Sequence, residues 1–581
     1  MIKLSDYVFK FLKEKGVRHA FMLPGGGAMH LVDSLGKSGI GYIPFLHEQG
    51  ASVAAEAYGQ HTNTPGLCVV TSGPGATNAI TAVTAGWIDS TPMFIISGQA
   101  KRADLVGDKN VRQIGSQEVQ IVPMVTPITK FAVQVLEPER IKYYLEKAWS
   151  EATTGRQGPV WLDVPLDVQG TMIDEDSLEG YTPSDENKPD LTEVIKTTVD
   201  LIKESKKPLL LAGNGIKLSG GVSELKELLS KVKIPVQTTW KTIDMFAEDD
   251  ELYVGHPGIM GDRGANLILQ EADLLISVGS RIDTSITAFN DEHFAFNAKK
   301  VIIDIDENEL KRMGMSAEIK KACDAKEFIV ALNEKICTEG IEFSWQEWLD
   351  FCKEKRRKFP AVTSAHKEVK DFVSAYYFTD RLCELLRNDD VIVPESSGGA
   401  GEITYQAFRI KDGQKMKNAA GLGSMGFGLP YSIGACVANN KRRTILINGD
   451  GAFQLNIQEL ETMHRLNLPV KMFIWSNGGY ASIRNMQRNN FEGHYVGSSE
   501  DSGHTIPNMI KVAGAYGFET LEIKNNTELD ELLPNIMKDD KPILVMLHMD
   551  PTETVSPRVK AYVGENGQMK SGLLEDMWPK L

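Results

Sequence analysis

Short apolar runs bounded by Gly, Asn and Ser alternate with longer amphipathic stretches along nearly the whole chain; VIVP, TILING and KMFIWSN are typical of the short runs. Continuous apolar runs of that length read as strands buried on both faces. Their alternation with helical periodicity predicts parallel α/β layers. At the start of the chain Leu4, Val8, Phe11 and Leu12 share one helical face, with Ser5 and Asp6 near its beginning. Asp6, Lys10, Lys13 and Glu14 leave this segment without the apolar core of a signal peptide. Pro92–Ser97, among the most apolar runs, is strand-sized and well short of the ~20 residues of a membrane span.

Two stretches break the alternation. The acidic, polar segment Asp174–Asp190 reads as an interdomain linker unable to pack a core. Lys353–Val362, a basic helix end stopped by Pro360, reads as a solvated face at a second boundary. The expected fold is therefore α/β with three domains, each a parallel sheet flanked by helices. They cover residues 1–180, 190–355 (Rossmann-like) and 365–550, followed by a tail over 551–581. The first and third look like six-strand layers, which points to a duplicated fold. The tail, rich in Gly, Pro and charge, reads as either a mobile arm or a cover for a neighbouring surface.

Composition narrows the class without naming a chemistry. At 42% hydrophobic and 24% charged residues, the 581-residue chain is neither fibrous nor disordered. A net charge of −15 disfavours a nucleic-acid partner. The six cysteines show no CxxC spacing, which argues for reduced thiols in a cytoplasmic protein and against a zinc ribbon.

The strongest chemical signal is TILINGDGAFQLNIQEL (Thr444–Leu460) followed by KMFIWSNGGY (Lys471–Tyr480). A buried strand enters Gly449-Asp450-Gly451 and a helix begins. Glycines admit a diphosphate close to the backbone, and the helix start offers it free N–H groups. An acid at that place repels phosphate unless a divalent cation lies between them, so Asp450 reads as a Mg²⁺ ligand. Asn477 and a carbonyl of the second strand end, at Gly479, extend the ligand set. In this arrangement the pair of segments resembles the diphosphate-binding signature of thiamine diphosphate enzymes, GDG followed further on by NN. Ser476 stands where the family has its first Asn, and Asn477 where it has the second.

Glu48, at a strand end inside PFLHEQGASVAAEAYGQ (Pro44–Gln60), is the candidate carboxyl for cofactor activation. Thiamine chemistry needs an acid that shares a proton with the pyrimidine ring, so that the amino group can remove the C2 proton. The segment resembles the HEQGA of acetohydroxyacid (acetolactate) synthases, whose catalytic glutamate Glu48 matches. PITKF (Pro127–Phe131), TGRQGPVWLDVPLDVQ (Thr154–Gln169), ADLLISVGSRID (Ala272–Asp283) and GLGSMGFGLPYSIGA (Gly421–Ala435) carry the resemblance over nearly the whole chain. It implies pyrimidine-binding, central and diphosphate-binding domains in that order. It also implies a homodimer or homotetramer, with Glu48 of one subunit facing the diphosphate held by Asp450 of another. Cofactor contacts implied in the same way come from Gly25, Met425, Gly449, Gly451, Ala452, Gly479 and Tyr480. Gln117 and Lys130 match positions that orient or neutralise a 2-oxo acid carboxylate. Gly213, Gly215, Arg281 and Asp304 resemble positions lining FAD, and whether FAD is bound stays open.

Four positions depart from the synthase pattern. Ser116 stands for a Phe; Ile259 and Met260 stand for the Met and His of GMHG; Ser285 replaces the second Arg of RFDDR; Met486 replaces the Trp that selects the acceptor. Losing an Arg removes charge-assisted carboxylate binding, and losing Phe and Trp opens space. The expected activity is decarboxylation of a 2-oxo acid, pyruvate foremost, with transfer of its acyl unit to a bulkier ketone such as a keto-sugar. The alternatives are acetolactate synthase itself and a C–C hydrolase or lyase acting on a diketone. A non-catalytic scaffold is disfavoured by the retained Glu48, Asp450 and Asn477, and no His-His pair favours simple decarboxylation to an aldehyde. Arg484 is left as a candidate for a phosphate or carboxylate of a larger acceptor.

Overall fold

The computed structural model describes all of the chain except residues 184–187, 341–342, 565–566 and 581. Three parallel sheets flanked by helices carry the architecture, as the alternation of short and long apolar segments predicts. The first sheet contains β1 (His19–Met22), β2 (Gly41–Pro44), β3 (Gly66–Val70), β4 (Met93–Gln99), β5 (Phe131–Gln134) and β6 (Pro159–Pro165), in the order β2-β1-β3-β4-β6-β5. The central sheet contains β7 (Pro208–Ala212), β8 (Val236–Thr238), β9 (Leu274–Val278), β10 (Lys299–Asp304) and β11 (Ile319–Ala322), ordered β8-β7-β9-β10-β11. The third contains β12 (Val391–Pro394), β13 (Lys415–Met416), β14 (Thr444–Gly449), β15 (Val470–Ser476), β16 (Glu519–Ile523) and β17 (Ile543–His548). Its order, β13-β12-β14-β15-β17-β16, repeats that of the first sheet strand for strand. The duplication inferred from sequence is thus present as topology.

Every residue of β3, β4, β6, β7 and β9 is buried, because helices cover both faces of these strands. The first and third layers share one apolar core. Helix α1 (Glu48–Thr62) packs against α2 (Gly428–Ala438), and both are rich in small residues. A Cβ on Gly434 would lie 2.2 Å from the Ala54 carbonyl oxygen, so this crossing admits no side chain there. Lys241 ties all three layers together. Its ammonium donates to Gln60 Oε1 at 2.8 Å, to Asp89 Oδ2 at 2.9 Å and to the Asn418 carbonyl at 2.7 Å.

The α1–α2 seam also buries Glu56, whose Oε1 accepts from Gln60 (2.6 Å) and Thr91 (2.8 Å) while Oε2 has no hydrogen-bond partner among the described residues. Burial pushes its carboxyl up to about 7. The folded chain therefore holds a proton here that the unfolded chain has lost above the ordinary value of 4.5. Stability from this group falls as pH rises from 4.5 through about 7, by on the order of 3 kcal/mol in total. Glu56→Gln is expected to melt close to the wild type near pH 4.5 and above it at pH 8. Paired melting curves across that range check the sign.

Two sequence expectations are corrected, and the structure decides between two readings of a third. The Lys353–Val362 run is not simply solvated: on the helix Gln346–Lys358, Arg356 donates to Glu248 Oε1 at 2.8 Å and lies over the Tyr253 ring. The acidic Asp174–Asp190 stretch begins as part of the first layer, with Leu178 buried in its core and Tyr181 edge-on to Tyr143; residues 184–187 lie outside the described ones. Among the two readings of the tail, the structure favours the cover. Val555, Leu574 and Met577 are buried, Asn266 donates to the Leu574 carbonyl, and His293 and Gln270 meet Glu575. All six cysteines are unpaired, and among the described residues no helix is long and apolar enough to cross a membrane.

Candidate active site

Glu48 opens α1 directly after the end of β2 and is buried. Its Oε2 accepts a 2.9 Å hydrogen bond from the Asn78 amide. The turn Gly73-Pro74-Gly75 passes beside it: Gly73 has a left-handed φ of +60°, and a Cβ on Gly75 would stand 2.6 Å from Thr71 Cγ2 and 3.4 Å from Glu48 Oε1. Thr71 in turn accepts from Gly27 N–H at 3.1 Å, and a Cβ on Gly25 would lie 2.5 Å from Thr71 Cβ. Gly25 and Glu48 are therefore joined through Thr71. Gln117 also arrives here, in the left-handed region at φ +58°, with its carbonyl against Gly73. Its loop is pinned by buried Glu118, which accepts from the N–H groups of Ile114 (3.0 Å) and Gly115 (3.2 Å). Gln99 adds a bond to the Val119 carbonyl at 2.9 Å.

Asp450 follows β14 and is 1% exposed. Its carboxylate accepts from the backbone N–H groups of Gly451 (2.9 Å), Asn477 and Gly478 (3.1 Å each) and Gly479 (3.2 Å). Burial pushes this carboxyl up, while the same N–H donors pull it down. Gly478 and Gly479 take φ of +78° and +87°, which lets the turn after β15 fold its N–H groups onto one acid. Tyr480 lies over Gly451, where a Cβ would meet the ring at 2.9 Å, and stacks on His504 with centroids 4.2 Å apart. Gly449 and Ala452 flank Asp450, and Met425 is 41% exposed between Gly423 and Gly426, outside the core.

Arg484, on α3 (Ala481–Asn490), folds back onto this turn. Its guanidinium donates to the carbonyls of Asn477, Gly478 (2.8 Å) and Ser498 (2.9 Å). Arg484, left as a candidate for an acceptor anion, is thus engaged with the turn within the chain.

A third region is a cavity of about 710 Å³ between the three layers, lined by Gly215, Arg281 and Asp304 among others. It opens where β7 and β9 diverge in chain order, the usual place for a ligand in an open parallel sheet. Gly213 shapes it from behind: a Cβ there would strike the Gly279 carbonyl at 2.1 Å. Arg281 N–H donates to Asp304 at 3.3 Å, and its guanidinium to Asp283 at 3.1 Å. Met260 and Ser285 are on the wall, and the Ile259 N–H donates to the Ser285 carbonyl at 2.9 Å. Two of the altered segments are thus a single structural unit. Ser116 and Met486 are instead exposed, beside Gln117 and on α3.

Lys130 is not brought to Glu48 within the chain. Its ammonium donates to the Thr154 carbonyl at 2.8 Å, with Glu151 at 3.9 Å, near the rim of the central cavity. Thr71 and Asn78, absent from the sequence-based candidates, do reach Glu48 or its neighbours. Their only sequence signal is the turn TSGPGATN in which they sit.

Models of the thiamine pyrophosphate enzymes match in three places: the N-terminal TPP binding domain at residues 2–122, the central domain at 195–332 and the C-terminal TPP binding domain at 397–547. The chain belongs to the thiamine pyrophosphate enzymes. Within them it is similar to a probable acetolactate synthase large subunit of Methanocaldococcus jannaschii, at 33% identity over 95% of this chain and 93% of the relative. Acetolactate synthase 1 of Zea mays is 31% identical over 96% of this chain and 87% of the relative. The acetolactate synthase large subunit of Lactococcus lactis subsp. lactis is 31% identical over 96% and 94%. The chain is thus an acetolactate synthase-like thiamine pyrophosphate enzyme.

The residues present fit thiamine diphosphate with a cation. Nothing lies within 4 Å of where a Cβ on Gly449 would stand, so the start of the helix is open to a ligand, and Met425 is exposed between Gly423 and Gly426. Arg484 takes the carbonyls of Asn477 and Gly478, whereas among the described residues the Gly479 carbonyl and the Asn477 amide accept nothing. With the buried Asp450 they offer oxygens of the kind Mg²⁺ takes.

Proposed function

We propose that the protein is a Mg²⁺- and thiamine diphosphate-dependent carboligase that decarboxylates pyruvate and passes the acyl unit to a ketone bulkier than a second pyruvate. When bound, thiamine diphosphate supplies the carbanion chemistry that lets a 2-oxo acid lose carbon dioxide. Asp450, Asn477 and the Gly479 carbonyl hold the cation, and the Gly449–Ala452 segment takes the diphosphate. Glu48 holds a proton at the pyrimidine nitrogen, its carboxyl oriented by Asn78. Gln117, carried on the loop pinned by Glu118, would orient the 2-oxo acid.

The single observation that carries this reading is the separation of two intact half-sites. Glu48 bonds to Asn78, and its neighbours Leu46 and Gln49 bond to Glu459 and Asn456, not to the Asp450 turn. Leu46, Met425 and Leu455 remain 53%, 41% and 46% exposed. A second copy that covers these side chains and sets its Glu48 against this Asp450 turn is the arrangement we favour, with a dimer as the smallest active unit. Gly215, Arg281 and Asp304 are proposed to hold FAD in the central cavity.

The acceptor follows from what is missing. Ser285 cannot make the bidentate bond of an arginine to a carboxylate, and Met486 leaves an exposed, flexible wall. A keto-sugar suits such a site. Incubating the holoprotein with pyruvate and a panel of ketones, with products read by mass spectrometry, is expected to give carbon dioxide and an acetyl adduct of a bulky ketone. Acetolactate as the only product would end the acceptor proposal. Cleavage of a diketone without carbon dioxide would end the carboligase proposal.

A further inference from the structure

Two charged side chains grip opposite edges of the Asn477-Gly478-Gly479 turn. On one edge Asp450 accepts all three N–H groups. On the other, Arg484 donates to the first two carbonyls and reaches on to Ser498. The two glycines, both at positive φ, can flip their peptide planes at little steric cost, and Asp450 and Arg484 hold the 477–478 and 478–479 planes from opposite edges. Without Arg484, only the Asp450 bonds to the Gly478 and Gly479 N–H groups keep the carbonyls of residues 477 and 478 turned away from the cation, and a peptide flip that brings either carbonyl toward it has one restraint to break instead of two. With it, a single backbone carbonyl of the turn is left for a metal.

We propose that Arg484 is a positioning residue for the cation: it sets which oxygens of the turn can act as ligands, and with them the preference for Mg²⁺. The inference rests on the reading of the Asp450 turn as the Mg²⁺ site. The planar guanidinium suits this task because its donors diverge in a fixed fork and reach three carbonyls at once. Electrostatics alone predicts the reverse outcome, since a guanidinium close to a divalent cation repels it. The two effects therefore separate by sign. Mg²⁺ demands near-ideal octahedral geometry whereas Ca²⁺ tolerates irregular shells, so a loosened turn penalises Mg²⁺ more.

The test titrates Mg²⁺, and separately Ca²⁺, into the full-length protein at fixed thiamine diphosphate, following cofactor binding by calorimetry. Wild type, Arg484→Ala and Arg484→Lys are compared, with metal-free melting temperatures measured alongside. Arg484→Ala is expected to raise half-saturating Mg²⁺ by roughly 10-fold or more, the usual scale for groups that orient metal ligands. Its loss for Ca²⁺ is expected to be smaller, and Arg484→Lys, which keeps the charge without the fork, to fall between. Unchanged or tighter Mg²⁺ binding in both variants overturns the proposal. So does a defect confined to the KM for the acceptor ketone, which would return Arg484 to substrate binding. Cofactor binding by the wild type with no dependence on a divalent cation would instead overturn the reading of the turn as a metal site.

Discussion

Glu48→Gln is expected to lower carbon dioxide release from pyruvate by ~10²–10⁴-fold, the range for loss of a positioned acid–base group. Gln has the shape of Glu and can keep the Asn78 contact through its carbonyl oxygen, so the pocket of Thr71, Gly75 and Asn78 should stand. What it lacks is a proton to share with the pyrimidine nitrogen. Thiamine diphosphate affinity, fixed mainly at the Asp450 end, should change little. Steady-state rates together with a cofactor titration check both parts. Near-wild-type turnover would remove Glu48 from the chemistry.

The second large effect is expected at Asp450. Its carboxylate satisfies four backbone N–H groups as well as offering charge to a cation. Asp450→Asn keeps one oxygen, turns the other into a donor facing N–H groups, and removes the charge. Each buried group left unpaired costs about 1–3 kcal/mol, so the metal-free protein should melt lower. Above that, Mg²⁺-dependent retention of thiamine diphosphate is expected to be lost at any practical concentration, because a neutral amide replaces the one acidic ligand. Gel filtration with cofactor and Mg²⁺, followed by assay of the bound thiamine diphosphate, reads this directly. Retention equal to the wild type would contradict the assigned site.

How far the site was legible depended on how local its parts are. Gly449-Asp450-Gly451 and Asn477-Gly478-Gly479 are short words at strand ends, and the structure puts them in contact 27 residues apart. Glu48 was readable for the same reason. Thr71 and Asn78 were not, because their role arises only when β3 brings their turn beside the start of α1. The motif around Lys130 records that a lysine is there, while the Thr154 carbonyl at a helix end takes its ammonium within the chain. Arg484 looked available because its acceptors are carbonyls, which carry no residue signature. Arg356 failed in the same direction, its partner Glu248 lying 108 residues away. The duplication was legible from the strand count of the two layers, whereas the shared strand order and the α1–α2 seam emerge only from the folded chain. The Lys241 junction needed all three layers in place before it could be seen.

The central claim is that this chain decarboxylates a 2-oxo acid through thiamine diphosphate. The most direct test is release of labelled carbon dioxide from pyruvate labelled at its carboxyl carbon, with and without thiamine diphosphate and Mg²⁺, in the presence of an acceptor ketone. Release that requires both thiamine diphosphate and Mg²⁺, and that disappears in Glu48→Gln, is the predicted result. No release from pyruvate or any other 2-oxo acid by protein shown to hold thiamine diphosphate would contradict the account.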